Sequence, residues 1–263
     1  FERIDKNFDM SFNSTAADRV GASQAAVAGV LMNVSKPVQR SRSRAAAAPA
    51  EKAGAAARRR ILAAAEKLFA DHGFDGTSVR QIAITAKVPL ALVNYHFGSK
   101  EGLYREVFAL RAPMIIDQRL AGLALADMET DPDRKLELII KALVVPNLHM
   151  RAAEKSPAYA RILAREVSDP KSNERGVIAE FFDPVAQRII EALQTVLPDR
   201  TLEELHWGYQ VMLGAMVYIM ADIGRIERLS GGLCRPEDEI STSKHVVALL
   251  HAALKNARVP SRG

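Results

Sequence analysis

Cys234 is the only cysteine in 263 residues. An internal disulfide and a cysteine-rich zinc site are thereby excluded, and a reducing, cytoplasmic setting is the simplest expectation. Long apolar runs are also lacking. The longest, Val211 to Met220, is interrupted by Gly214 and falls short of the roughly 18 residues a membrane helix needs, so a soluble chain with no membrane partner is expected. The six histidines, at 72, 96, 149, 206, 245 and 251, show no metal-ligating HExxH spacing. No GxSxG elbow and no phosphate-cradling glycine loop occurs, and Gly231-Gly232 reads as a helix stop. The paired carboxylates Glu203-Glu204 fall on a solvent-facing helix start. No cofactor and no catalytic residue is expected; a helical enzyme or a scaffold protein is the alternative to the non-catalytic reading developed below. Alternating strand patterns are missing throughout, so the fold class expected is all-α.

Acidic residues are scarce in one stretch only. Residues 36 to 100 carry 12 Lys/Arg against 4 Asp/Glu, whereas residues 1 to 35 carry 3 against 4 and residues 101 to 263 carry 21 against 23. The whole positive excess of the chain (+5 overall) is concentrated there, as counterion release on binding a polyanion requires. The same stretch contains Ile61 to Lys100. Its opening is apolar at Ile61, Leu62, Ala65, Leu68 and Phe69, one stripe of a helix. Gly73 suits a left-handed cap after it, and Phe74 folds back as a core plug. Ser78 and Gln81 form a capping box for a second helix, which buries Val79, Ile82, Ala83 and Ala86. Lys87-Val88-Pro89 makes a tight turn, and Pro89 pre-sets the backbone of a third helix.

In that third helix Val93 and Phe97 are four apart and point into the core with Val88. Leu90, Ala91, Asn94 and Tyr95 lie on the other side. This is the organisation of a helix-turn-helix DNA reader, whose second short helix enters the major groove. Small Ala91 permits close approach to a base edge, and the Asn94 amide can pair bidentately with adenine. Tyr95, His96 and Lys100 supply donors for phosphate oxygens, as does Ser78 at the opening of the second helix. Arg80, two residues further on, completes the expected DNA-contacting set.

On Phe69, Gly73-Phe74, Thr77-Ser78-Val79, Ile82-Ala83, Val88, Tyr95-His96-Phe97 and Lys100-Glu101-Gly102-Leu103, the chain resembles the TetR family of transcriptional repressors. One departure is Lys87, at a turn position often held by glycine, which requires a positive φ at a side-chain-bearing residue. The resemblance implies a three-helix DNA-binding domain followed by a helical ligand-binding and dimerisation domain. It further implies a homodimer on a palindromic double-stranded DNA operator, and repression relieved by a small apolar effector. The expected boundaries are a basic disordered extension over 1–50, the reader over 51–104 and the helical domain over 105–263. The extension opens on Phe1, has Met10 and Met32 as candidate starts, and has a flavour of a transit peptide that its four acidic residues oppose; a vector-derived or misassigned start is equally compatible.

Beyond Lys100 the chain reads as helices. Ser99 caps the first, running to about Ile115. Asp131-Pro132 opens another, bent at Pro146, and Ser156-Pro157 a third. Asn173 starts a fourth, kinked at Pro184. Thr201 and Glu204 form a second capping box for a long helix to about Leu229, and a last helix covers about Ser241 to Ala257. The long helix carries Trp207, Val211, Leu213, Gly214, Val217, Tyr218 and Ile223, apolar on more than one face. By resemblance, the last two helices pair with those of a twin subunit; packing within one chain is the alternative. An effector cavity is expected to be lined by Met150, Ile162, Phe181, Phe182, Met212, Met216 and Met220, residues that would equally serve as plain core. Arg165 is placed to receive a carboxylate or phosphate, or else to pair internally with Asp183. The segment from His206 to Ile226 is similar to the family branch that senses fatty acids or their thioesters.

Overall fold

Alanine sets the first helix. The apolar stripe predicts a helix from Ile61, whereas α1 spans Ser43–His72 and reaches back through the alanine-rich run. Alanine has the highest helix propensity and needs no buried face to stay helical. The computed structural model describes residues 43–152, 157–221 and 224–257. The expectations for residues 1–42, for Ser156 as a helix opener and for Ile223 lie outside the described residues. The chain divides after Gly54 into two units, and the second, Ala55–Gly263, carries everything discussed below.

The reader consists of the second half of α1, α2 (Val79–Ala86), α3 (Leu90–Phe97) and the start of α4 (Lys100–Asp127). Ile61, Phe69, Ile82, Val93 and Leu103 are fully buried between them. Both halves of the Ser78–Gln81 capping box form. Buried Thr77 donates its hydroxyl to the Gly73 carbonyl at 2.8 Å and pins the loop that separates α1 from α2. The turn after α2 takes the left-handed geometry anticipated for Lys87, with φ 55° and ψ 52°, and is closed by Val88 N–H to Ala83 O at 3.0 Å. Such a conformation costs a non-glycine residue roughly 1–2 kcal/mol. Lys87→Gly is therefore expected to stabilise the fold by up to about 1 kcal/mol, and β-branched Lys87→Val to destabilise it. Thermal unfolding of the two variants checks this; identical melting temperatures would mean that the turn stores no strain.

The C-terminal part is built from α5 (Pro132–Ala152), α6 (Pro157–Glu166), α7 (Ser172–Arg175), α8 (Val177–Phe181), α9 (Asp183–Val196), α10 (Leu202–Met220), α11 (Arg225–Leu229) and α12 (Glu239–Asn256). α4 and α5 form an antiparallel hairpin. Its backbones approach so closely at Gly122 that a Cβ there would lie 2.7 Å from the Ala142 Cβ. α5 is central: Leu136, Ile139, Ile140 and Leu143 are fully buried, and α4, α9, α10 and α12 all pack on it. No described helix is long and apolar enough to cross a membrane.

Three further stretches differ from expectation. α4 continues past Pro113 to Asp127, because Ile115, Gly122, Leu123 and Ala126 keep its buried stripe going. The single helix predicted from Asn173 is three pieces, broken at Gly176 (φ 67°) and at Phe182. Pro184 does not kink it: it occupies the first turn of α9, where its missing N–H has no partner to lose. The helix predicted to run to Leu229 stops at Met220, and α11 restarts after Gly224 at φ 78°.

Candidate nucleic-acid interface and the junction behind it

α3 separates its two faces cleanly. Val93 and Phe97 are buried and fix the helix, while Leu90, Ala91, Asn94 and Tyr95 stand in solvent, Tyr95 with 81% of its surface exposed. Two short helices held by a core of apolar side chains thus present a row of base-compatible groups without using any of them for packing. Arg80 is exposed on α2, and Ile84, 68% exposed on the same helix, is an apolar surface residue the sequence pattern missed. Its signal was available, since Ile84 falls between the buried positions Ile82, Ala83 and Ala86.

The flanking residues are more engaged than expected. The Ser78 hydroxyl donates to Gln81 Oε1 at 2.8 Å and accepts from the Gln81 N–H at 3.2 Å, so its first task is capping. His96 is half-buried, edged by the Tyr95 ring at 5.3 Å, with Nε2 buried and unbonded. The Lys100 ammonium lies 4.3 Å from the centre of the Phe74 ring, a cation–π contact that holds it at the first turn of α4. Ser99 caps that helix by accepting from the Gly102 N–H at 3.1 Å. Interhelical ion pairs brace the reader from behind: Arg58 with Glu106, and Arg111 with the largely buried Glu66 through a fork of 2.7–3.2 Å.

Between the reader and the remaining helices lies a cleft of about 400 Å³, bordered by the Gly73–Gly76 loop, Phe69, Tyr104, Ile162, Arg165 and Glu166. Its floor is a charged knot. Glu166, 1% exposed, accepts from the Tyr104 hydroxyl at 2.9 Å and from Arg175 Nε at 2.9 Å. Arg175 also pairs with Asp169 at 2.8 Å and lies over the Phe74 ring. Burial, then the neighbouring Glu166 charge, push the Tyr104 hydroxyl far above its ordinary range, so it remains a donor. Arg161 and Lys171 reach Asp71 and Asp75 at 3.2 and 3.1 Å, tying α6 and the α6–α7 loop to the end of α1 and the loop after it.

Of the residues read as an effector site, Ile162 and Arg165 border this cleft. The expected alternative for Arg165, an ion pair with Asp183, does not form; the guanidinium lies against the Asp71 carbonyl at 3.4 Å. Met150, Phe182, Met212, Met216 and Met220 are buried deeper in the helical half, and Phe181, half-buried, stacks on Phe108. The sequence reading overlooked Arg119, which is 3% exposed, with its Nε unbonded and its guanidinium over the Phe182 ring. Its signal was its register: Ile115, Arg119, Gly122, Leu123 and Ala126 form one buried stripe.

The geometry of a braced reader with a helical body behind it agrees with what known proteins show. Residues 61–107 match the family model described as bacterial regulatory proteins, tetR family, and residues 141–253 match that of the tetracyclin repressor-like C-terminal domain. The HTH-type transcriptional repressor AcnR of Corynebacterium diphtheriae is 32% identical over 81 residues; the match spans 29% of this chain and 42% of that relative's length. Among solved structures, the fatty acid degradation regulator FadR from Bacillus halodurans superposes with a TM-score of 0.55 at 20% identity, covering 76% of this chain and 97% of its own. FadR from Bacillus subtilis, solved in complex with stearoyl-CoA, gives 0.51 at 17% identity, covering 73% and 97%. At these identities the two structures speak for the fold, and the two matched models, one in the reader and one in the body behind it, together take in more than half of the chain: it belongs to the TetR family of bacterial regulatory proteins.

Proposed function

We propose that the chain is a ligand-responsive transcriptional repressor that binds a palindromic DNA operator as a homodimer in the cytoplasm and leaves it when a small apolar effector enters the helical half. The observation that carries this reading is the exposed row Leu90, Ala91, Asn94 and Tyr95 on a helix whose other face is locked by Val93 and Phe97. A side chain spared from packing is free to read a base edge. In this reading residues 51–104 are the reader and 105–263 the effector and dimer domain, with the basic stretch before α1 adding sequence-independent attraction to phosphate. The methionines at 212, 216 and 220, buried on one face of α10, support the apolar effector: unbranched side chains re-pack around a guest at low cost.

A mobility-shift titration with the DNA flanking the chain's own gene tests the reading. A discrete complex that survives competitor DNA supports it, and binding no tighter than to competitor rejects it. Within the reader, Asn94→Ala is expected to relax preference at one base position by about 1–3 kcal/mol. Lys100→Ala, in contrast, is expected to weaken binding to all sequences and to reduce the salt slope by about one. Uniform loss in both variants would make Asn94 a positioning residue.

A further inference from the structure

Arg119 is the least compensated charge among the described residues. It is 3% exposed, its Nε is buried without a hydrogen-bond partner, and no described carboxylate pairs with it. Burial is also the main influence on its proton affinity, which is lowered, with Tyr209 and Tyr159 as the neighbouring groups that act on it electrostatically. Burying an unpaired guanidinium is among the most expensive arrangements a fold can hold. Two phenols act on it as neighbours. Tyr159 is fully buried with its hydroxyl unbonded. Half-buried Tyr209 stands on α10 three residues before Met212. The Phe182 ring, 5.6 Å from the guanidinium carbon, offers a cation–π contact that solvates one face and leaves the donors free.

The surroundings of this cluster have two parts. At one end are a fork of N–H donors and two phenol hydroxyls. From there the face of α10 bearing Tyr209 continues as Met212, Met216 and Met220, all buried. A polar head followed by an adaptable apolar wall matches the shape of a small amphiphile. One guanidinium balances one negative charge, and its planar fork fits a carboxylate bidentately.

We propose that Arg119, with Tyr159 and Tyr209, is the anchoring site for the head of a monocarboxylate whose apolar body lies along the α10 methionines. The inference rests on the regulator reading in that this carboxylate is its effector. Phe182, which contacts the guanidinium, sits at the joint between α8 and α9, and its neighbour Phe181 stacks on Phe108 of α4. Pairing of Arg119 with a ligand therefore acts directly on the helix that leads out of the reader.

The test compares octanoate and benzoate with octanamide and benzamide, by calorimetric titration and thermal shift on the full chain. The acids are expected to bind at least about tenfold tighter than the isosteric amides, because charge-assisted bonds replace neutral ones. Arg119→Met is expected to erase that preference and, by removing an unpaired buried charge, to raise the melting temperature of the unliganded protein by about 2–4 °C. Arg119→Lys should retain part of the preference, having the charge without the fork. Equal binding of acids and amides, or no binding of the acids, overturns the proposal. A lowered melting temperature in Arg119→Met also overturns it, since the guanidinium would then already have its partner. The same preparations are taken through the mobility shift. If no operator complex forms yet the acids are preferred, the regulator reading fails and the site stands. If the complex forms without acid preference, the site alone fails.

Discussion

Charge placed on the outer face of the last long helices, as Val211→Glu with Leu249→Glu, is expected to give a folded monomer that binds operator DNA at least about 100-fold more weakly than the parent. The reason lies in how α10 divides its apolar residues. Leu205, Met212, Met216 and Met220 face inward and are buried. Trp207, Val211 and Tyr218, spaced by helical turns, are 61%, 59% and 64% exposed, and Gly214 between them has nothing within 4 Å of where a Cβ would stand. α12, packed against α10 so closely that a Cβ on Gly208 would lie 2.7 Å from Leu254, adds Leu249 at 72% exposure. Large apolar side chains left on water are unfavourable, and in the proposed homodimer a second copy of the same face would cover them with twofold symmetry. A single reader grips too little DNA; joining two makes the second binding event intramolecular. Sedimentation velocity and a mobility shift on the double variant check both halves. A variant that remains dimeric would place the interface elsewhere. One that is monomeric yet binds DNA undiminished would show that each reader acts alone.

How far the fold was legible depends on whether a signal is local. The Ser78–Gln81 and Thr201–Glu204 capping boxes, the stop at Gly73 and the strained turn at Lys87 all formed as their sequences predict, since each is decided within four or five residues. Boundaries set by distant packing were misplaced. α4 runs on to Asp127 because its last turns lie against α5, and no local feature announces that. Proline was read as a kink at position 184 when it was starting α9, and the real break, at Gly176, follows a four-residue helix too short to show a period. In the interface, the exposed face of α3 followed from the spacing of Val93 and Phe97. The capture of the Ser78 hydroxyl by Gln81, and of Lys100 by Phe74, are contacts between side chains whose periodicity says nothing about them. Arg119 is the instructive omission. The helix was expected to end at about Ile115, so the register that sets this basic residue in a buried stripe with Gly122, Leu123 and Ala126 was not followed.

Glu166→Leu is expected to lower stability by about 3–5 kcal/mol, the loss typical when one partner of a buried ion pair is removed. The carboxylate is 1% exposed and receives the Tyr104 hydroxyl from α4 and the Arg175 guanidinium from α7. Without it, Arg175 retains Asp169 alone and a buried phenol loses its acceptor. Tyr104 in turn is edged by Phe69 at 4.8 Å and Phe74 at 5.0 Å, at the end of α1 and in the loop before α2, so the knot joins the reader to the body. Loosening it is expected to detach the angle of the reader from events in the helical half. Operator affinity in Glu166→Gln should then respond less to effector, even where binding of effector itself is unchanged. The alkaline limb of stability provides an independent reading. Tyr104 and Tyr159 hold their protons more tightly folded than unfolded, chiefly through burial. Their contribution is therefore complete below the ordinary tyrosine range near pH 10 and declines as pH rises above it. Tyr104→Phe should flatten that decline, and its cost should overlap with that of Glu166→Gln rather than add to it. Chemical denaturation of the two single variants and the double at pH 7 and pH 10.5 measures both effects. Strict additivity would show that Tyr104 and Glu166 act separately and that the joint between reader and body is made by the surface pairs Arg161–Asp71 and Lys171–Asp75 instead.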